Sequence, residues 1–178
     1  VTMIDDDGNR HARSGIDVAD GYQCVFLVDG KERFRGILMN QNQGDKKQLK
    51  FKAYDNGIYL ANNKDTLVYK NKTADQVFSD VCSRFGIPTG EVAKSSYKIP
   101  ELTKSKTTGQ DAVLDALGLD YKATGTRHFI SSDKGRLSLL QRKDQVISFV
   151  VDGDANLYGY SYTKSIESIK TRVKMISK

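Results

Sequence analysis

The 178-residue sequence has no Trp and only two Cys, two His and two Pro, and each scarcity removes a class of protein. Cys24 and Cys82 stand 58 positions apart with no Cys-x-x-Cys pair, which excludes a zinc knuckle or a dithiol redox centre. Either one disulfide joins them or both are small buried hydrophobes, the commoner state of a free cysteine. No apolar run nears the roughly 18 residues of a membrane-spanning helix. No basic start followed by an apolar stretch marks a secretory leader. No internal repeat of ~20–50 residues is visible, which argues against a solenoid. The chain starts at Val1 and ends in a polar, strand-like stretch, so it reads as a piece cut from a longer protein.

What is present is a polar but foldable chain: 38% hydrophobic, 28% charged, with a net charge of +6 and 15 Gly to mark turns. Aliphatic and aromatic blocks recur throughout, unlike a disordered chain. Residues 1–21 hold five Asp against Arg10 and Arg13. Counted from Asp5, a calcium loop would need Gly and Glu where Arg10 and Ile16 stand, so this stretch reads as a strand end and a solvated turn.

From Tyr22 the β-rich run Tyr22–Val28 leads through Asp29-Gly30 to Lys31–Met39, and an Asp-Gly pair between two such runs predicts a type I′ hairpin. A turn at Gly44-Asp45 precedes Lys46–Tyr54, where Leu49, Phe51 and Ala53 alternate with polar residues at strand period. Thr73-Ala-Asp-Gln76 fits a capping box, followed by Val77, Phe78, Val81, Cys82 and Phe85 on one helical face, with Gly86 and Pro88 as stop signals. A second helix is predicted from about Thr108 through Ala112, Val113, Ala116 and Leu117, with Gly118 internal or terminal and Gly125 the alternative stop. Residues 94–106, rich in Lys, read as an irregular connection. Strand period returns in His128–Ser131 and Arg136–Arg142 around the turn Ser132–Gly135. It continues in Gln145–Val151, in the row Tyr158, Tyr160 and Tyr162, and in Ile169–Met175. The fold class expected is α+β, mainly antiparallel, with β-structure at 1–70 and 126–178 and two central helices near 74–85 and 108–123.

Catalytic chemistry finds little footing. His11 and His128 have no Cys, Asp or Glu at motif spacing, and Asp111 and Asp115 read as a solvated helix face. Ser95-Ser-Tyr-Lys98 and Lys106-Thr-Thr-Gly109 imitate penicillin-binding motifs but lie too close together and lack the Ser-Asp-Asn between them. Asn71-Lys-Thr73, formally a glycosylation sequon, reads as helix capping. The expectation is therefore no enzyme, no catalytic residue, no metal and no cofactor. Positive charge concentrates in residues 31–52, where Lys31, Arg33, Arg35, Lys50 and Lys52 form a candidate interaction surface. Such a basic face suits phosphate contacts, though the aromatic interleaving typical of single-strand binders is poor.

Several segments in order resemble one family. They are Asp29–Gly36, Ala53–Lys64, Tyr69–Asp75, the run Cys82-Ser-Arg-Phe-Gly-Ile-Pro-Thr-Gly90, and Tyr162-Thr-Lys-Ser-Ile-Glu167. Together they are similar to the baseplate hub proteins of contractile-tailed prophages and phage-tail-like bacteriocins, the family of the defective Bacillus-type prophages, over about residues 16–176. The resemblance implies a structural protein of tube-like β-barrel domains that links tail tube to spike. The full-length form would be a homotrimer, assembled in the bacterial host cytoplasm and carried into the particle. It divides the chain into a first β-barrel-like domain at 1–65, a helical α/β connecting domain at 66–125 and a second β-domain at 126–178. It offers no catalytic residues, and membrane and nucleic acid are not expected partners. Two other readings are a basic β-rich module binding nucleic acid or anionic polysaccharide through residues 31–52, and a tail domain associated with a cell-wall hydrolase.

Overall fold

In the computed structural model, which describes residues 2–4, 19–44, 48–142, 159 and 161, the Asp29-Gly30 pair closes the first hairpin as its residue types demand. Both residues take positive φ, 51° and 72°, joining β2 (Gln23–Val28) to β3 (Lys31–Gly44). β3 returns antiparallel as β4 (Gln48–Tyr54), and β1 (Thr2–Ile4) pairs with the far side of β4, giving the order β1-β4-β3-β2. Register shifts at Phe26/Leu27 and Leu38/Asn40 mark irregularities that locally increase twist. A Cβ at Gly36 would stand 2.6 Å from Phe34 Cζ and closer still to the main-chain oxygen of Tyr54, so glycine is what lets β3 and β4 pass there. Among the described residues this sheet is open, with β1 and β2 as its edges, where the family resemblance led us to expect a closed barrel.

The expected strand character up to residue 70 breaks at α1 (Gly57–Asn62). Asp55 Oδ1 accepts the Gly57 N–H at 2.8 Å, an Asx turn that reverses the chain. The next residues, Ile58-Tyr-Leu-Ala61, have no alternation to hold a strand. β5 (Lys64–Lys72) then buries Leu67 and Tyr69 at alternate positions. Its partner is β7 (Ile99–Thr108), antiparallel. This corrects the irregular reading of residues 94–106, of which only 94–98 is irregular. Ile99 and Leu102 point into the core, Lys104 stands half-buried opposite Leu67 and Lys106 is exposed, and pairing with β5 across about thirty residues supplies the backbone partners that local sequence does not announce.

α2 (Ala74–Arg84) carries the capping box, with the Thr73 N–H donating to Gln76 Oε1 at 3.2 Å. Gly86 takes φ 65° just past its end. α3 (Gly109–Thr124) begins with the Thr108 hydroxyl accepting the Asp111 N–H at 3.0 Å and ends at Gly125, φ 72°, so Gly118 is internal. β6 (Thr89–Val92), β8 (His128–Asp133) and β9 (Arg136–Gln141) form a three-stranded sheet in the order β6-β9-β8, with β6 parallel to β9. Lys134 and Gly135, φ 47° and 75°, make the β8–β9 turn, two residues where four were expected.

One hydrophobic cluster joins these elements from Leu60 to Leu139, with Phe78, Leu67, Ile99 and Leu137 fully buried. Burying a side chain of that size stabilises by about 1.5–3 kcal/mol. Cys82 lies in this core as a free thiol, and burial pushes its pKa up to about 12. Cys24 is also free, half-buried on β2.

The mixed, mostly antiparallel α+β class stands as expected. All of these elements belong to the first of two units, residues 1–146. Of the second, residues 147–178, Gly159 and Ser161 are described. The acidic turn and calcium question at 5–18, the turn residue Asp45, and the strands expected at Gln145–Val151, at Tyr158, Tyr160 and Tyr162 and at Ile169–Met175 lie outside the described residues.

Candidate functional site

The five basic residues do not form one uniform row. Lys31 starts β3 opposite Val28, and Arg35 stands opposite Val25. The register shift at Phe26/Leu27 leaves Arg33 without a partner on β2, which interrupts the alternation expected from the sequence. Lys50 and Lys52 stand on β4 opposite Asn42 and Asn40, exposed, two residues apart and so on the same face. Arg35 is engaged. Its Nε and Nη2 donate to the two carboxylate oxygens of Glu32 at 2.9 and 2.7 Å, and Nη1 donates to Gln23 Oε1 at 3.2 Å. The bidentate hydrogen bond from Arg35 holds the Glu32 carboxyl below its ordinary pKa. Lys31, Arg33, Lys50 and Lys52 remain as exposed cations.

The two faces of the β1–β4 sheet differ in chemistry. Strand alternation and the register place Cys24, Phe26, Phe34, Leu38, Phe51 and Ala53 on one face and Gln23, Arg35, Ile37, Lys52 and Tyr54 on the other. An open depression of about 700 Å³ borders the sheet, lined by Cys24, Phe26, Phe34, Phe51 and Ala53 of the first face together with Val25, Lys52 and Tyr54. The second face meets the β8–β9 turn, where Asn56 Nδ2 donates to the Gly135 carbonyl at 2.6 Å. Edge strand β2 exposes Val25, Phe26, Leu27 and Val28 in succession, with no charge or proline to blunt it. Charge in residues 31–52 was legible in the sequence. The apolar face opposite it was missed, although the run Cys24–Val28, apolar on both sides, was its signal.

The residues with catalytic overtones are otherwise employed. Ser95 Oγ donates to Asp75 Oδ1 at 3.0 Å and accepts the Asp75 N–H at 3.3 Å, which ties the 93–98 connection to the start of α2. Lys106–Gly109 is simply the end of β7 running into α3. Asp111 belongs to the Thr108 cap, and Asp115 pairs with Lys104. Among the described residues no three His, Cys, Asp or Glu side chains gather around a common point, and no helix is long and apolar enough to cross a membrane.

His128 is placed as its sequence neighbourhood did not foretell. Its side chain and that of Asp120 are each 1% exposed, with Nδ1 and Asp120 Oδ2 3.4 Å apart. Eight residues of chain separate them, and the turn from α3 into β8 brings them together.

Comparison with known proteins gives relatives at both levels. A family model described as YQBQ-like matches residues 1–178. The phage-like element PBSX protein XkdQ of Bacillus subtilis (strain 168) is 37% identical over 157 residues, 88% of this chain and 48% of its own length. The uncharacterized protein YqbQ of the same organism is 35% identical over 159 residues, 89% and 48%. The chain thus spans about half the length of these curated relatives. Among solved structures, the 43 kDa tail protein of prophage MuSo2 from Shewanella oneidensis superposes with a TM-score of 0.57 at 17% identity, over 78% of this chain and 43% of that one. The tail protein from Neisseria meningitidis MC58 gives 0.54 at 17% identity, over 67% and 37%. At such identity the likeness concerns the fold alone.

Proposed function

The chain belongs to the YQBQ-like family, and on that premise we propose that it serves as a structural component of a contractile phage-tail-like particle, in the baseplate hub between tail tube and spike. The observation that carries this reading is the β1–β4 sheet. It leaves an apolar face, a depression of about 700 Å³ and an unblunted edge strand exposed, as a wall element completed by neighbouring subunits would. XkdQ, by its name a phage-like element protein, and the two tail proteins that share the fold support the same class.

In this reading residues 1–65 contribute the first tube-type β-domain, 66–125 the connecting domain and 126–178 a second β-domain. The full-length protein closes a homotrimeric ring against tube and spike proteins. Ring closure needs complementary surfaces on opposite sides of each subunit. Segment 1–21 carries −3 (two Arg against five Asp), which leaves +9 of the +6 total for the rest. Such flanks set register and association rate, while the apolar sheet face supplies affinity. The role is non-enzymatic. Assembly takes place in the bacterial host cytoplasm, and the particle is the final location. The nucleic-acid or polysaccharide reading is the weaker one, since Glu32 already matches the Arg35 charge.

Light scattering on the full-length protein tests the proposal. A trimer, alone or with tube and spike proteins, is the expected result. A chain that stays monomeric at high concentration even with those partners would overturn the hub role.

A further inference from the structure

Between the β8–β9 turn and the second face of the β1–β4 sheet lies an open cleft of about 370 Å³, lined in part by Gln23, Arg35, Ile37, Asn56, Lys134 and Arg136. Its frame is fixed. Asn56 Nδ2 donates to the Gly135 carbonyl, and the Arg35 stem packs so closely on Gly135 that a Cβ there would stand 2.9 Å from Arg35 Cδ. The Arg35 guanidinium is held by Glu32 and Gln23, and Glu32 matches its charge. Lys134 and Arg136 differ from it. Both are exposed, and neither forms an ion pair among the described residues. Asp133, opposite Arg136 in the hairpin, does not line the cleft. Three cations against one carboxylate therefore leave two positive charges unmatched. Lys134 also takes φ 47°, at a turn position that hairpins give to Asn, Asp or Gly.

We propose that this cleft receives the acidic run Asp5-Asp6-Asp7 of a second copy of the chain, with Lys134 and Arg136 pairing with its carboxylates. The inference rests on the hub reading and names the basic flank of its head-to-tail contact. An arginine fork suits a carboxylate. Nucleic-acid bases are poorly served, since no aromatic side chain lines the cleft among the described residues. The same chain cannot supply the run. Asp5 follows directly on β1, whose last residue, Ile4, pairs with Gln48, itself opposite Gly44 of β3. Gly44 lies nine residues beyond Arg35 on that strand, about 30 Å at the rise of a strand. Three residues past Ile4 span about 11 Å at most. The sheet order separates them further, because β1 is one edge and β2, which brings Gln23 to the cleft, is the other. The acidic run thus starts at one edge of a subunit and the cleft borders the opposite edge, as a ring closed by head-to-tail contacts requires.

The test follows assembly of the full-length protein by time-resolved light scattering at low and then high salt. Lys134→Glu with Arg136→Glu should slow association about 10-fold at low salt, since rim charges act mainly on that rate. Asp5→Lys with Asp6→Lys and Asp7→Lys should slow it similarly, and the two sets combined should restore it. High salt should shrink these differences by screening. Lys70→Glu with Lys98→Glu makes the same charge change at exposed lysines outside the cleft and should leave the rate within about twofold. Failure of the combined variant to recover, or equal slowing by the Lys70 and Lys98 pair, overturns the inference. If the reversed charges disturb the circular dichroism, the neutral pair Lys134→Gln with Arg136→Gln decides, by slowing association or leaving it unchanged. Assembly that ignores Lys134 and Arg136 removes this contact and spares the hub reading, whereas an unaltered protein that never assembles removes both. Single-stranded DNA binding that is lost in Lys134→Glu with Arg136→Glu, while assembly is unaffected, gives the cleft to nucleic acid and rejects the acidic run.

Discussion

The β1–β4 sheet and the α/β body of residues 57–142 are built from similar residues but use them differently. In the body, apolar side chains from α1, α2, α3 and the two smaller sheets meet in one cluster from Leu60 to Leu139. In the β1–β4 sheet, Leu38 is the one buried side chain beside the buried Gly36 among the described residues, while Phe26 is 52% and Leu27 56% exposed. The body therefore holds its own stability. The sheet holds unused apolar surface, and a sheet with one bare face gains its stability from what covers it. The difference separates a part that buries its apolar side chains from a part that leaves many of them exposed.

The contrast is sharpest at Phe78, at the centre of the body. Phe78→Ala should cost about 3–5 kcal/mol, read as a shift of the urea midpoint. A loss under about 1 kcal/mol would erase the distinction between the two regions.

Asp75 tests the body by pH. Its side chain is 4% exposed. Burial alone would raise its pKa, but hydrogen bonds from Thr73, Lys94 and Ser95 outweigh that and hold it below the ordinary value. A carboxyl lowered in the folded state adds stability that is full above its unfolded pKa, about 3.9, and is lost as pH falls through the folded value. Acid titration of the urea midpoint should show that loss. Asp75→Asn should flatten the acid limb and cost about 1–3 kcal/mol at neutral pH. An unchanged acid limb in the variant would assign the effect to other carboxylates.

The smallest effect belongs to the sheet. Phe26→Ser on the exposed edge strand should leave the urea midpoint within about 0.5 kcal/mol while weakening self-association of the full-length protein by light scattering. A loss as large as that of Phe78→Ala would mean that Phe26 is core after all, and that the comparison fails.

Where local rules operate, the sequence was readable. The capping box at Thr73–Gln76, the Asp29-Gly30 hairpin and the strand period of Leu49–Ala53 each rest on interactions within a few residues, and each has its expected structural counterpart. The reading failed at α1, where an Asx turn at Asp55 ends a strand that composition alone would extend. It failed at 99–106, where the lysines suggested a loop and β5 provided the hydrogen bonds of a strand. For the candidate surface, the basic residues were visible as a run of letters. Their unequal employment was not, because the Arg35–Glu32 pair and the register shift beside Arg33 are properties of a specific hairpin geometry.

By itself the sequence determined the turn and cap positions, the two long helices, the absence of catalytic motifs and the α+β class, because these depend on residue type and short spacing. Tertiary structure alone decided that β6 runs parallel to β9, that one face of the β1–β4 sheet stays apolar and open, and that His128 meets Asp120 at 3.4 Å with both side chains buried. Each of these depends on where distant segments are brought together. Burial and register are collective properties of the packed chain, and no local pattern encodes them.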